Sequence, residues 1–309
     1  MKYIVRIMIF VLILALLVFL ITGVLIPGSN VRKYGILKSG NFEILSEKDN
    51  TIDVVFLGDS LVYSSVSPMD IWNEYGIASF DCANPAQIIS DSYEYYEAAI
   101  KSQHPKMAFV EASMLFRDPK NQPFKDKIAH EFKKFIPIVR QHNNWKKYIT
   151  DGTKDKWINY NKGFKYIAST EPSSNWNYMV YSDEYEDIPE NNIKTLKKFI
   201  DLSNKNNIKF ILISFPSQKD WNYKRHNSIE KITRENNIEL LDLNIADLGI
   251  DWTQDTRDNG KHINYRGSKK VSTYVGNYIK NTNLVKDHRN DSNYESWDEA
   301  YKLYLENNH

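Results

Sequence analysis

Residues 52–65 read IDVVFLGDSLVYSS, and this stretch decides the expected fold. Its first part, Ile52–Leu57, is a short apolar run bounded by turn residues, which is typical of a strand buried on both faces of a parallel sheet. Gly58, Asp59 and Ser60 follow directly, and Gly58 is expected to permit a tight turn. Ligands of open α/β sheets bind beyond the carboxyl ends of the strands, so Ser60 lies where a nucleophile is expected.

Strand and helix patterns alternate along the rest of the chain. Apolar runs predict further strands at Lys106–Glu111, Asn207–Ser214 and Ile238–Leu243. Apolar periodicity and capping residues predict helices at Pro68–Tyr75, Ile88–Ser102, Gln218–Asn237, Tyr265–Asn281 and Ser296–Leu305. This alternation predicts an α/β fold with a mainly parallel sheet and helices on both faces.

The chain is expected to divide into three parts. Residues 1–27 form an N-terminal anchor, residues 28–50 a polar tether, and residues 51–309 one α/β domain. Within the domain, residues 114–195 break the alternation and predict a helical insertion or cap, placed as a lid would be over the cleft.

The anchor is predicted from the uncharged, mostly apolar run Ile7–Ile26. At about 1.5 Å per residue, a helix of this length matches the ~30 Å hydrocarbon core of a bilayer. A cleavable signal peptide is the alternative, but its apolar region is usually only ~7–15 residues and ends at an A-x-A-like site. A short tail before a large domain is typical of signal anchors. The sequence therefore predicts a single-pass protein with its domain outside the cytoplasm.

Composition excludes some classes of function. The net charge is +1, from 40 Lys and Arg against 39 Asp and Glu, which gives no reason to expect a nucleic-acid partner. The single cysteine, Cys82, allows neither an intramolecular disulfide nor a Cys-based zinc site.

A second chemical stretch, DTRDNGKHINYRGSKK at residues 255–270, precedes the last long predicted helix. His262 lies in it, and Asp255 and Asp258 come shortly before. A Ser-His-Asp triad needs an imidazole that reaches the hydroxyl and a carboxylate that fixes its tautomer. Either stretch alone has an ordinary structural explanation, as a turn or helix cap at Ser60 and as a polar helix flank at His262. Their combination, in the order Ser then Asp-His, favours catalysis.

These residues resemble the SGNH (GDSL) hydrolases. The likeness is greatest to the membrane-anchored branch that includes alginate O-acetylation proteins and teichoic acid D-alanylation proteins of the DltD type. It rests on Gly58-Asp59-Ser60 and on Asp258, His262-Ile263-Asn264 and Gly267, with SFPSQKDW at 214–221, RHNSIEKI at 225–232 and LLDLN at 240–244. The resemblance implies a flavodoxin-like three-layer sandwich, an acyl-serine intermediate, and neither a metal nor an organic cofactor.

Carried onto this chain, the resemblance makes Ser60 the nucleophile and His262 its base. The acid of the triad does not follow directly from the resemblance. The family commonly places an Asp three residues before the histidine, and that position in this chain is Asn259. Asp258, four residues before His262, is the predicted acid because it lies closest. Asp255 is the reserve.

The oxyanion hole departs from the family pattern, which uses the serine N–H, a glycine N–H and an asparagine side chain. The glycine block corresponds to residues 81–85, DCANP, and the asparagine block is replaced by residues 111–113, EAS. Loss of one donor typically costs about 10²–10³ in rate. The predicted oxyanion and substrate-binding residues are Asp59, Ala83 and Asn84.

The expected function is therefore a membrane-anchored serine esterase or O-acyltransferase acting on acyl esters, acetyl above all, of a cell-surface glycan. The ester chemistry follows from the triad, whereas the glycan follows only from the resemblance and the location. A transferase would have a multipass membrane acyltransferase as partner, by analogy. Two alternatives remain: a catalytically degenerate SGNH domain that serves as a scaffold in polysaccharide assembly, and a flavodoxin-like binding module whose motifs are coincidental.

Overall fold

The computed structural model describes residues 2–25, 43–118, 159–174 and 177–308. Within these residues, five parallel strands form one sheet: β1 Val54–Gly58, β2 Ser79–Ala83, β3 Met107–Glu111, β4 Lys209–Ser214 and β5 Glu239–Asp242. Their order, β2-β1-β3-β4-β5, is the flavodoxin-like doubly wound order. The α/β class and the parallel sheet predicted from the sequence are confirmed.

Helices cover both faces of the sheet. Those of the described chain are α1 Lys2–Leu25, α2 Ser60–Ser65, α3 Pro68–Tyr75, α4 Ile89–Gln103, α5 Glu190–Lys205, α6 Tyr223–Asn236, α7 Tyr265–Asn281 and α8 Glu295–Asn308. One core joins α4, α5 and α6 to one face of the sheet, and the other joins α2 and α7 to the opposite face. Successive strand residues alternate between the two cores, as the pleat requires. The molecule therefore has three layers.

Capping residues mark the bounds of two helices, α3 and α7. The Ser67 hydroxyl accepts a hydrogen bond from the Asp70 N–H at 3.2 Å at the start of α3, and Gly76 ends that helix in the left-handed region, at a φ of 67°. Asn264 caps α7 by accepting from the N–H groups of Arg266 and Gly267. Each cap satisfies backbone groups that the helix itself leaves unpaired.

The N-terminal region differs from the predicted transmembrane anchor. Helix α1 covers most of the predicted anchor, and among the described residues no helix is both long and apolar enough to span a membrane. The predicted tether is only partly described, since residues 28–42 lie outside the described ranges. Its end is not free chain: Glu43–Ser46 forms a 3-10 helix whose Ile44 and Leu45 are fully buried.

The middle of the chain also differs. Most of the predicted insertion at 114–195 lies outside the described residues, which exclude 119–158 and 175–176. Residues 159–174 and 177–189 are described and carry neither helix nor strand, because they run as irregular chain until α5 begins at Glu190. The sequence analysis did not predict α5, α2 or strand β2.

Candidate active site

Ser60 lies at the carboxyl edge of the sheet, as the first residue of α2. Strand β1 is buried along its whole length, and Asp59 caps the helix by accepting from the Leu61 N–H at 2.8 Å. Gly58 is required for a different reason from the one predicted. It is not among the glycines with positive φ, but a Cβ there would lie 2.4 Å from Val62 Cγ2 and 2.7 Å from Glu111 Cβ. Close packing therefore demands glycine at this position.

His262 is held by a narrow loop between β5 and α7. Thr256 and Ile263 form an antiparallel bridge, and the Thr256 hydroxyl donates to the His262 carbonyl at 2.9 Å. The loop turns at Asn259 and Gly260, whose φ values of 57° and 83° lie in the left-handed region. Asparagine and glycine adopt that region most readily, so the local sequence suits the turn.

The structure brings Ser60, His262 and Asp258 together. His262 Nε2 lies 2.8 Å from Ser60 Oγ, and Nδ1 on the other side of the ring makes a short hydrogen bond with Asp258 Oδ2. Asp258 Oδ1 also accepts from the His262 backbone N–H at 2.6 Å, which fixes the carboxylate against the loop. This is the hydrogen-bond order of a serine nucleophile, its base and an orienting acid.

Asp258 is held in its charged form. Burial opposes the charge, but the hydrogen bonds from His262 and the electrostatic effects of His262 and Arg257 outweigh it and lower the pKa of this carboxyl below its ordinary value. The carboxylate therefore stays ionised at neutral pH and stabilises positive charge on the imidazole.

Asp255, the reserve acid, is engaged elsewhere. Its Oδ2 accepts from the Asp251 N–H at 2.8 Å and from Lys270 Nζ at 2.6 Å. Its side chain is buried, and its carbonyl accepts from the Asn264 N–H. Asp255 thus ties the loop to the start of α7, whereas Asp258 contacts the imidazole.

A buried charged cluster lies next to the nucleophile. Arg117 forms an ion pair with Asp59, and its guanidinium also donates to the Gln87 carbonyl at 3.3 Å. Glu111, at the end of β3, is fully buried, and its carboxylate accepts hydrogen bonds from Ser113 and Met114. Burial, together with the charge of Asp59, raises the pKa of Glu111 to about 7 despite those donors and Arg117.

Ala83 and Asn84 lie at the same edge of the sheet as Ser60. Ala83 is paired with Gly58 in the β1–β2 ladder. The Asn84 amide donates to Gln87 Oε1 at 3.0 Å. Their role as oxyanion donors, with that of Asp59 in substrate binding, stays a prediction.

Three residues near Ser60 were missed in the sequence analysis. Arg117 pairs with Asp59, Arg257 Nε lies 3.9 Å from Asp258 Oδ2, and Tyr63 follows Ser60 on α2. Two of them carry a weak signal in the sequence: Tyr63 is three residues after Ser60 on one helix, and Arg257 is next to Asp258. Arg117 carries none, because only the folded chain brings it to Asp59.

The comparisons with known proteins identify distant solved structures. A protein assigned to the G-D-S-L lipolytic family from Desulfitobacterium hafniense is 13% identical, with a TM-score of 0.42 over 72% of this chain and 97% of that one. A psychrotrophic esterase from a Pseudoalteromonas species is 11% identical, with a TM-score of 0.40 over 76% and 98%. An acetyl xylan esterase is 15% identical, with a TM-score of 0.39 over 75% and 100%.

No protein-family model matches the chain, and no curated protein matches it. With TM-scores below 0.5, these structural similarities are distant, and the fold and the candidate chemistry rest on the sheet order and the side chains of this chain.

Proposed function

We propose that this protein cleaves carboxylic esters through an acyl-serine intermediate on Ser60. The observation that carries the proposal is the continuous hydrogen-bond chain from Ser60 through His262 to Asp258, at the carboxyl edge of a parallel sheet. The imidazole is mostly buried, at 7% exposure, whereas Ser60 is partly exposed and open to a substrate. A solvated histidine that met a serine by chance would not be fixed on both ring nitrogens.

The acylation step follows from this arrangement. Because Asp258 accepts from Nδ1, the imidazole carries its proton there, and Nε2 accepts the proton of Ser60. Ser60 Oγ attacks the ester carbonyl carbon, and the carbonyl electron pair moves onto oxygen. When the tetrahedral intermediate collapses, the leaving alkoxide takes the proton from Nε2 and departs as an alcohol.

Deacylation uses the same groups in reverse roles. A water molecule or an acceptor hydroxyl gives its proton to Nε2 and attacks the acyl-serine carbon, and Ser60 Oγ then leaves with that proton. Water yields a carboxylic acid, and an acceptor hydroxyl yields a new ester. Both outcomes need the same triad, so hydrolysis and O-acyl transfer share one site.

Covalent labelling tests the proposal directly. The full chain is expected to react once with a fluorophosphonate probe, at Ser60, and to hydrolyse p-nitrophenyl acetate. Ser60→Ala removes the nucleophile and is expected to abolish both. Ser64→Ala is the matched control: its hydroxyl donates to the Ser60 carbonyl at 2.5 Å from the next turn of α2, so labelling should persist. A folded protein that is neither labelled nor active would refute the proposal and favour the scaffold.

We propose further that the ester lies on a cell-surface glycan and that the domain is extracytoplasmic. If the protein transfers acyl groups, a multipass membrane acyltransferase is the proposed partner. The support for the glycan and for this partner is the resemblance carried by residues 58–60 and 258–267. The support for membrane attachment is the uncharged run Ile7–Ile26 and the high exposure of the apolar side chains described on α1, all within residues 3–17, such as Phe10 at 65% and Leu12 at 71%. A contiguous set of exposed apolar side chains favours contact with an apolar environment such as a lipid bilayer.

Fractionation tests the attachment. The full chain expressed in bacteria is expected to pellet with membranes and to resist carbonate extraction. The double variant Leu12→Asp, Leu16→Asp adds a transfer cost of about 5 kcal/mol or more to the segment and should become extractable. Leu12→Ala, Leu16→Ala is the matched control and should stay in the pellet. A wild-type chain that carbonate releases would contradict the attachment while leaving the esterase proposal intact.

A further inference from the structure

The loop that follows strand β4 lies against the loop that holds the base. The first covers residues 215–222, between β4 and α6, and is called the β4 loop; the histidine loop is residues 256–263. Three hydrogen bonds join the two loops: from the Ser217 hydroxyl to the Lys261 carbonyl at 2.7 Å, from the Gln218 N–H to the Gly260 carbonyl at 2.8 Å, and from Lys219 Nζ to the Asp258 carbonyl at 3.2 Å. The β4 loop therefore contacts the backbone that carries both the base and its acid.

Ser217 is the most deeply buried of the three donors. Its side chain is fully buried, and its hydroxyl accepts from the Asp220 N–H at 3.1 Å while it donates to Lys261. The Ser217 N–H donates to Asn244 Oδ1 at 3.0 Å, and the Asn244 amide donates to the Phe215 carbonyl at 3.0 Å. Because Asn244 lies just beyond the end of β5, these bonds fasten the β4 loop to the sheet. The Ser217 hydroxyl therefore has a fixed position from which to hold the histidine loop.

The hydrogen bond from Ser217 orients the peptide unit between Lys261 and His262. A peptide unit is planar, so a donor that fixes its carbonyl also fixes the direction of the N–H on its other side. That N–H belongs to His262 and donates to Asp258 Oδ1 at 2.6 Å, while Asp258 Oδ2 contacts the imidazole Nδ1. A path of hydrogen bonds thus runs from Ser217 through the peptide unit and Asp258 to the ring, and hydrogen bonds in series strengthen one another.

We propose that Ser217 is a positioning residue for the base, because it sets the peptide unit that places Asp258 against the imidazole. This role rests on the proposed ester chemistry. During acylation the imidazole takes the Ser60 proton on Nε2 over 2.8 Å, and it must keep Nδ1 on the carboxylate while it becomes positively charged. Ser217 holds that arrangement through the backbone. It transfers no proton and forms no bond to the substrate.

Removing the Ser217 hydroxyl tests the proposal. In the full chain, Ser217→Ala is expected to lower kcat for p-nitrophenyl acetate about tenfold with KM unchanged, because the base is less well placed while substrate binding is not altered. The value of kcat is taken per Ser60 site titrated with a fluorophosphonate, which corrects for any inactive fraction. The rate of labelling should fall by a similar factor, because the same base activates Ser60 towards the probe.

Ser228→Ala is the matched control. Ser228 is also a buried serine, and its hydroxyl accepts from the Glu186 N–H at 2.8 Å and donates to the Glu186 carbonyl at 2.8 Å. It therefore joins α6 to the irregular chain before α5, just as Ser217 joins the β4 loop to the histidine loop. Both alanine variants should lower Tm, since each leaves buried backbone groups without a partner. Only Ser217→Ala should lower kcat per titrated site.

A double-mutant cycle separates positioning of the base from general support of the fold. Asp258→Asn removes the carboxylate on which the path from Ser217 ends, so adding Ser217→Ala to it should lower the labelling rate by no more than about twofold. A further tenfold loss in the double variant would overturn the proposal. A Ser217→Ala variant with kcat within about twofold of wild type, or an equal loss in Ser228→Ala, would overturn it as well.

Ser217→Cys keeps the measurement possible if Ser217→Ala does not fold. A thiol has nearly the volume of the hydroxyl but is a weak donor, so kcat per titrated site should still fall at least about threefold, and a value within about twofold of wild type would refute the role. Failure of the wild type itself to label would refute the ester chemistry and is distinct from all of these outcomes.

Discussion

Replacing His262 by glutamine is expected to lower kcat for ester hydrolysis by about 10⁵- to 10⁶-fold, close to the effect of removing the nucleophile. A glutamine amide lacks a base, so it cannot take the proton that Ser60 now directs to Nε2 over 2.8 Å. The hydroxyl is a weak nucleophile without such a base. Steady-state hydrolysis of p-nitrophenyl acetate and the rate of fluorophosphonate labelling would both measure the loss.

The chain contains a matched control for this substitution. His226 is a second histidine paired with a carboxylate, since its Nδ1 lies 2.7 Å from Asp242 Oδ2 and its side chain is 12% exposed. Its hydrogen bond to Asp242 raises its pKa against the effect of burial. His226→Gln should leave kcat near the wild-type value. If instead His226→Gln abolished hydrolysis and His262→Gln did not, the assignment of His262 as the base would be refuted.

The sequence predicted those parts of the fold that local residues specify. The bounds predicted for the two helices at Pro68–Tyr75 and Tyr265–Asn281 agree with the structure. Serine and asparagine caps and an early proline mark such ends in the sequence itself. Strands β1, β3, β4 and β5 were found because each is a short apolar run between turn residues.

Strand β2 was missed because its sequence does not look like a buried strand. It reads SFDCA, with polar residues on one side of the pleat and no continuous apolar run. As an outer strand it pairs with β1 alone among the strands, and its other side receives a backbone hydrogen bond between the Asp81 N–H and the Lys162 carbonyl. Asp81 is buried nonetheless, and burial raises its pKa well above 3.8. The burial of Asp81 is therefore a consequence of the tertiary structure, which its local sequence does not indicate.

The residues of the candidate active site also fall into two groups, those that the local sequence specifies and those that depend on the tertiary structure. Ser60 and His262 could be placed from the sequence because each follows or precedes a recognisable element at the carboxyl edge of the sheet. The acid, Asp258, was predicted only from its nearness to His262 in the sequence, whereas its contact with the imidazole depends on where a left-handed turn falls in the loop. Asn259 adopts the left-handed backbone conformation at this turn, and its N–H donates to the Glu171 carbonyl at 3.0 Å. The preceding residue, Asp258, then faces the imidazole.

Asp258→Asn is expected to lower kcat by about 10⁴-fold without loss of the fold. Asparagine can keep its oxygen on the His262 N–H, where Asp258 Oδ1 now accepts at 2.6 Å. Its amide N–H group would then face the imidazole Nδ1, which must accept and so holds the ring proton on Nε2. In that tautomer Nε2 cannot take the Ser60 proton, although every distance in the site is nearly preserved. Steady-state kinetics beside a thermal melt would show a large loss of rate with a small change in Tm.

Asp255→Asn is expected to show the reverse pattern, because that side chain holds the loop and does not contact the imidazole. It weakens the ion pair with Lys270 and leaves the Asp251 N–H with a neutral acceptor. The free energy of unfolding should fall by about 1–2 kcal/mol, the usual cost of weakening a buried charged hydrogen bond, while kcat stays near wild type. Both variants conserve size and change the charge equally, so the opposite outcomes separate orientation of the base from support of the loop. A 10⁴-fold loss in Asp255→Asn with an active Asp258→Asn would transfer the role of the acid to Asp255 and contradict the assignment.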